Sequence, residues 1–359
     1  MTEIKRKKLF NEAGDRDWQQ RRLLNGNTTN MLEFNNVAYE WAEKLYMKMS
    51  RFFWVPEECP MLDDKKQFLL LTEGEQTAYK KILSFLIFLD SIQVANLGYI
   101  ANYLHAPEID ACLKTQAFFE TIHSQSYDYI LTSVVDAVTR DQVYNEWRTD
   151  QRLLERNRFI TNLYEDFIAD PSQKNLLRSL MANFLLEGIY FYAGFAFFYA
   201  LGRQNKMGGT VSVIRLIQRD ELLHLALFTN IFRELRKEEP HLFTPELTEE
   251  LVGMAKTAVE HEIAWGQYVI QNQIIGLSDE IIARYIKYLG NIRCAAIGLP
   301  KPYPEITEHP MKWVDEFANM NDVKTDFFER RVGNYQKAGG KLNFDKLRNR
   351  PIGEWGSPL

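Results

Sequence analysis

The chain has 359 residues, 46% hydrophobic and 13% aromatic, enough to bury a large core. With 43 basic and 48 acidic residues the net charge is −5, and this mild acidity without a basic stripe argues against a nucleic-acid surface. The opening MTEIKRKKLF has no apolar signal region, and its basic run reads as a solvated end. Cys59, Cys112 and Cys294 are far apart and form no CxxC pair, so a reduced, cytoplasmic setting is expected.

In chain order, the pattern predicts a first helix near 35–50. Thr72 and Glu75 form a capping box that starts a second, 73–102, through KKILSFLIFLDSIQ. No glycine or proline lies between Glu108 and Asp170, which predicts long helices over 107–138 and 140–168. Asp170-Pro171 then precedes a helix at 173–202, and the GRQNKMGGT loop precedes one at 210–237. Thr244-Pro245 and Ser278 open helices at 245–275 and 278–297. Strand-like alternation is scarce, and neither a repeat nor a linker interrupts 35–297. The expectation is an all-α helical bundle, one domain over 1–332, with four prolines making 298–311 an extended loop. Residues 333–359, rich in Gly, Asn, Lys and Arg, read as a mobile tail.

Within the fifth helix, residues 184–201 read FLLEGIYFYAGFAFFYAL, with one charge, Glu187. The length reaches the threshold for a membrane span, and no other segment reads this way. The carboxylate near one end and the polar neighbours favour a wholly buried helix, with no membrane involved. A buried, ionised, unpaired carboxylate costs roughly several kcal/mol, so something cationic should meet Glu187. A basic group from another helix is one answer, and a metal is the other.

The six histidines favour the metal. Glu120/His123 and Glu221/His224 are Glu-x-x-His pairs inside long helices, so each pair shares a helical face. Glu238/His241 has the same spacing, but Pro240 should end the helix between them. His105, His261 and His309 read as ordinary, with His261, between Glu260 and Glu262, on a solvated face. Asp90, closing the apolar run ILSFLIFLD, is a second lone acid on a buried face. Asp90, Glu120, His123, Glu187, Glu221 and His224 together come from four helices, as in the carboxylate-bridged dimetal sites of ferritin-like bundles. Four carboxylates against two divalent ions sum to zero. Oxygen-rich donors with one imidazole per ion suit iron or manganese, as two Fe, two Mn or a mixed pair.

Tyr127 lies one turn after His123, and its plain reading is a core tyrosine. Phe191, Phe195 and Ile217 sit one or two turns from Glu187 or Glu221 and should line the same side. A tyrosine walled by apolar groups beside a redox dimetal centre is where an oxidised phenol survives. Reducing O₂ to water takes four electrons: two from the metals, one from Tyr127 and one from outside, with Trp54 a candidate route.

The segments FFWVPEE (52–58), LDSIQ (89–93), ETIHSQSY (120–127), the Glu187 helix and RDELLH (219–224) resemble the small, radical-generating subunit of class I ribonucleotide reductase, over roughly 35–300. The resemblance implies a ferritin-like fold, with Asp90, Glu120 and His123 on one metal and Glu187, Glu221 and His224 on the other. It implies a stored radical on Tyr127 and a relay through Trp54 and Asp220 to a large catalytic subunit that reduces ribonucleotides. It also implies a homodimer, tail docking and, for some members, an activating flavoprotein. The family's tail tyrosine is not matched, because the last tyrosine is Tyr335; Tyr335 or Trp355 is the substitute the sequence offers. An R2-like ligand-binding oxidase fits Asp90 and HSQSY less well. A ferritin-like storage protein would bind many metals per chain instead of two.

Overall fold

The computed structural model describes residues 4–318, and among these the regular elements are helical, with one isolated bridge between Asp15 and Thr28. The helices are α1 (Glu40–Arg51), α2 (Asp64–Leu70), α3 (Glu73–Ala101), α4 (Pro107–Val134), α5 (Ala137–Glu146) and α6 (Gln151–Ala169). They continue as α7 (Gln173–Leu185), a π-turn (Leu186–Tyr190), α8 (Tyr192–Arg203), α9 (Gly208–Glu238), α10 (Pro245–Ile270), α11 (Asp279–Ala296) and α12 (Lys312–Ala318).

The expected helix starts are made by side chains. The Thr72 N–H donates to Glu75 Oε2 at 2.9 Å and the Glu75 N–H to Thr72 Oγ1 at 3.2 Å, closing the capping box of α3. Thr244 and Ser278 cap α10 and α11 in the expected places. At α9 the cap comes from far away. Buried Asp64 accepts the N–H groups of Gly209 and Thr210 at 2.9 and 2.6 Å. A Cβ at Gly209 would lie 2.5 Å from the Pro60 carbonyl oxygen, so this close approach needs glycine.

Several boundaries correct the sequence reading. The stretch between Glu108 and Asp170 breaks twice without glycine or proline. Asp136 caps α5 by accepting the Thr139 N–H at 2.8 Å, and Asp150 caps α6 by accepting the Arg152 N–H at 2.9 Å. Local side-chain capping is the competing effect there. The first helix starts at Glu40, not 35, and α10 ends at Ile270, where Gln271 and Asn272 turn left-handed at φ 48° and 54°. Helices α2 and α12 were not expected.

Helices α3, α4, α9 and the α7–π-turn–α8 run pack around one another, with α10 and α11 behind the last. Both α3 and the run 173–203 are apolar and long enough to cross a membrane by length and composition, so 184–201 is not alone in this. The apolar window of the run 173–203 lies wholly inside the fold, as a core helix. The expected domain over 1–332 extends past the described residues. The tail at 333–359, with Tyr335 and Trp355, lies outside them.

Candidate metal centre

Six side chains converge where the four central helices meet. Helix α3 supplies Asp90, α4 supplies Glu120 and His123, the π-turn supplies Glu187, and α9 supplies Glu221 and His224; all six are fully buried. Their donor atoms form two groups, each within 4.8 Å: Asp90, Glu120, His123 and Glu221, and Glu120, Glu187, Glu221 and His224. His123 Nδ1 lies 3.8 Å from Asp90, 3.3 Å from Glu120 and 3.1 Å from Glu221. His224 Nδ1 lies 3.1 Å from Glu120, 3.6 Å from Glu187 and 2.9 Å from Glu221. Glu120 and Glu221 thus belong to both groups, a sharing that the split of three residues per metal had not contained.

The residues fit a pair of metal ions. Both Asp90 oxygens, Glu120 Oε2, Glu187 Oε2, Glu221 Oε1 and His123 Nδ1 are buried without a hydrogen-bond partner. Six such orphans in one place are costly unless cations complete them. With protein groups alone, burial pushes Asp90 and Glu187 well above the usual carboxylate range, and neighbouring glutamate charges push them further. Burial would lower both imidazoles, but Glu221 charge and the Asp220 hydrogen bond raise His123, and Glu120 and Glu221 charge raise His224. Glu221 is held low despite its burial, by the neighbouring Glu187 carboxyl and then by the two imidazoles.

Tyr127 is fully buried, and its hydroxyl lies against Asp90 without closing a well-formed hydrogen bond. Burial first, then Asp90 charge, holds its pKa well above the usual phenol value. Trp54, 3% exposed, donates Nε1–H to Asp220 Oδ2 at 2.7 Å, and the same oxygen lies 3.4 Å from His123 Nε2. A continuous polar line therefore joins Trp54 to the centre. Phe191, Phe195 and Ile217 are fully buried, and the two phenylalanine rings stack at 5.8 Å.

Other partners were not singled out from the sequence. Gln93 and Gln116 both donate to Glu187 Oε1, at 2.5 and 2.8 Å, and Tyr164 donates to Gln93 Oε1 at 2.8 Å. Arg219 holds Asp220 Oδ1 through Nε at 3.0 Å and through its terminal nitrogen at 2.9 Å. The available signal was spacing: Gln93 follows Asp90 by three residues and Gln116 precedes Glu120 by four. The solvated face expected around His261 is a correction. Glu262 is fully buried against Arg156, and half-buried His261 meets the Tyr190 hydroxyl at 3.0 Å. The face turns inward because Arg156 of α6 reaches it.

The ribonucleotide reductase small-chain family matches residues 31–310. The chain belongs to that family. A ribonucleoside-diphosphate reductase subunit beta from Treponema pallidum is 48% identical, over 95% of this chain and 98% of its own length. The solved R2 subunit from Clostridium botulinum superposes with a TM-score of 0.86 at 51% identity, covering 89% of this chain and 100% of that one. A dimanganese(II)-NrdF from Streptococcus sanguinis, 19% identical, shares the fold with a TM-score of 0.71 over 80% of this chain and 99% of its own. The small subunit is the radical-generating half of the reductase, and its partner is a large catalytic subunit that reduces ribonucleotides. Neither a storage protein nor a ligand-binding oxidase is supported by these relatives.

Proposed function

We propose that Asp90, Glu120, His123, Glu187, Glu221 and His224 would hold two metal ions, with Glu120 and Glu221 offering donors to both, and that Tyr127 stores the oxidising equivalent. The observation that carries this reading is the membership of Glu120 and Glu221 in both donor groups. The donors suit iron, manganese or one of each. When bound, the metal pair supplies the redox chemistry that reduces oxygen and oxidises a neighbouring side chain.

The protein's own part is proton control and insulation. A phenol that loses an electron must also lose its proton, and Asp90, with both oxygens free of donors, is placed to take the proton from Tyr127 Oη. Phe191, Phe195 and Ile217 exclude water from the oxidised ring. Trp54 and Asp220 carry the equivalent between His123 and the large subunit, with Arg219 holding Asp220 in orientation. Docking through the 333–359 tail, assembly as a homodimer and activation by a flavoprotein are extensions from the family. Cys59, Cys112 and Cys294 are buried and form no disulfide among the described residues, which supports a reducing, cytoplasmic setting.

The test is electron paramagnetic resonance of metal-free protein loaded with Fe(II) without oxygen and then exposed to it. A tyrosyl signal with two metals per chain, lost in Tyr127→Phe, is the expected result. Oxidised iron with no organic radical in wild type would return Tyr127 to a packing role.

A further inference from the structure

Glu187 is the one ligand carried on irregular backbone. In the π-turn Leu186–Tyr190 the hydrogen-bond ladder is wider by one residue, so backbone groups around it lose their α-helical partners. Buried backbone groups need replacements. Here they come from side chains of three other helices. Glu262 Oε1 of α10 accepts the Ala193 N–H at 2.8 Å. Arg156 of α6 pairs with the other Glu262 oxygen and reaches the Tyr190 carbonyl at 3.5 Å. Arg293 of α11 donates to the Gly188 carbonyl at 3.3 Å. Gly188 leaves room for this: a Cβ there would come within 3.0 Å of Leu225 and 3.3 Å of Arg293.

The Arg156–Glu262 pair is expensive for a structural role alone. Glu262 is fully buried and Arg156 is 2% exposed. Arg156 Nε and one terminal nitrogen have no acceptor, and the guanidinium instead faces the rings of Phe85 at 3.9 Å, Tyr190 at 4.9 Å and Trp265 at 5.2 Å. Burial pushes the Glu262 carboxyl up to about 7 even beside the arginine. An apolar pair of similar volume is commonly as stable as a buried ion pair or more so. What an apolar pair lacks is an acceptor for the Ala193 N–H.

We infer that Arg156 and Glu262 are positioning residues for the metal centre: they hold the π-turn open and so fix the rotation at which Glu187 faces the second ion. Without the acceptor, the segment relaxes toward a regular α-helix. Taking the extra residue up into regular helix turns one flank against the other by about 100°. Glu187 and the core face of α8 then no longer fit at once. This rests on Glu187 being a ligand.

The experiment uses full-length metal-free protein and Mn(II). Binding is followed by equilibrium dialysis, and the bound ions by electron paramagnetic resonance, which separates a coupled pair from an isolated ion. Wild type should hold two ions as a coupled pair. Arg156→Met with Glu262→Leu should melt at or above the wild-type temperature. It should keep one ion, weaken the second at least about tenfold, and show the isolated-ion spectrum. Arg156→Met with Glu262→Gln, which keeps an amide oxygen for the Ala193 N–H, should recover the coupled pair. If both variants bind two ions as wild type does, or the glutamine variant loses as much as the leucine variant, the inference is overturned. Hydrogen exchange on wild type gives a check independent of any variant. The Ala193 amide should exchange as slowly as the helix around it, and exchange at an open-chain rate would also overturn the inference. Fewer than two ions in wild type would overturn the ligand assignment first, and this inference with it.

Discussion

On the Asp90 side of the centre both carboxylate oxygens lack a donor. On the Glu187 side one oxygen takes two amide N–H groups, and only the other is left unpartnered. The Asp90 side also touches Tyr127 and, through His123 and Asp220, reaches Trp54. The Glu187 side touches amides and a further tyrosine, Tyr164. The difference separates two jobs within one cluster. On the proposed function, the Asp90 side handles the proton and the electron, and the Glu187 side is braced by the two amides.

The comparison breaks most completely at the carboxylates common to both sides. Glu221→Ala should abolish the coupled metal pair and bring turnover with the large subunit to background, because both donor groups lose a member. Metal analysis after dialysis checks it, and two retained ions would show that Glu221 is not a bridge. Trp54→Phe should divide the functions. Two metals and the Tyr127 signal remain, while turnover with the large subunit is lost because Asp220 no longer meets an indole N–H. Undiminished turnover would remove Trp54 from the relay.

Smaller effects belong to the braced side. Gln93→Leu should weaken the second ion by about 10–100-fold while leaving the first unchanged, the usual range for partners that orient a metal ligand. Equal weakening of both ions would erase the asymmetry. Tyr164→Phe removes only the hydroxyl that orients Gln93, and should weaken the second ion by roughly fivefold, the worth of about one hydrogen bond. No measurable change would place Tyr164 outside the brace.

The cluster of six candidate ligands was legible because lone acids on apolar helices are physically conspicuous, and because two Glu-x-x-His pairs on long helices narrow the geometry. The line through Trp54 and Asp220 was not legible from spacing, since the two lie 166 positions apart, and it came from resemblance alone. Gln93 and Gln116 stayed hidden because a buried amide can be satisfied by many backbone or side-chain groups, so its presence names no particular partner. The π-turn stayed hidden for a different reason. LEGIY has the composition of any buried helix, and what holds it irregular is Glu262, more than 70 positions later in the sequence. Glu262 itself was misplaced because its neighbours Glu260 and His261 give it the look of a charged surface. The breaks at Asp136 and Asp150 show the same limit from the local side, where a capping aspartate ends a run that composition alone would continue.

The extra residue in the Leu186–Tyr190 turn also has a meaning at the level of the gene. A π-turn differs from an α-turn by one amino acid, so the smallest in-frame edit, deletion of a single codon in this segment, would restore an unbroken helix. Such a deletion placed beside Glu187 would remove none of the six ligands and leave the polar line to Trp54 as written. It would still remove the bulge that aims Glu187 while the flanking helices keep their register, so the length of one turn carries information that no single side chain does.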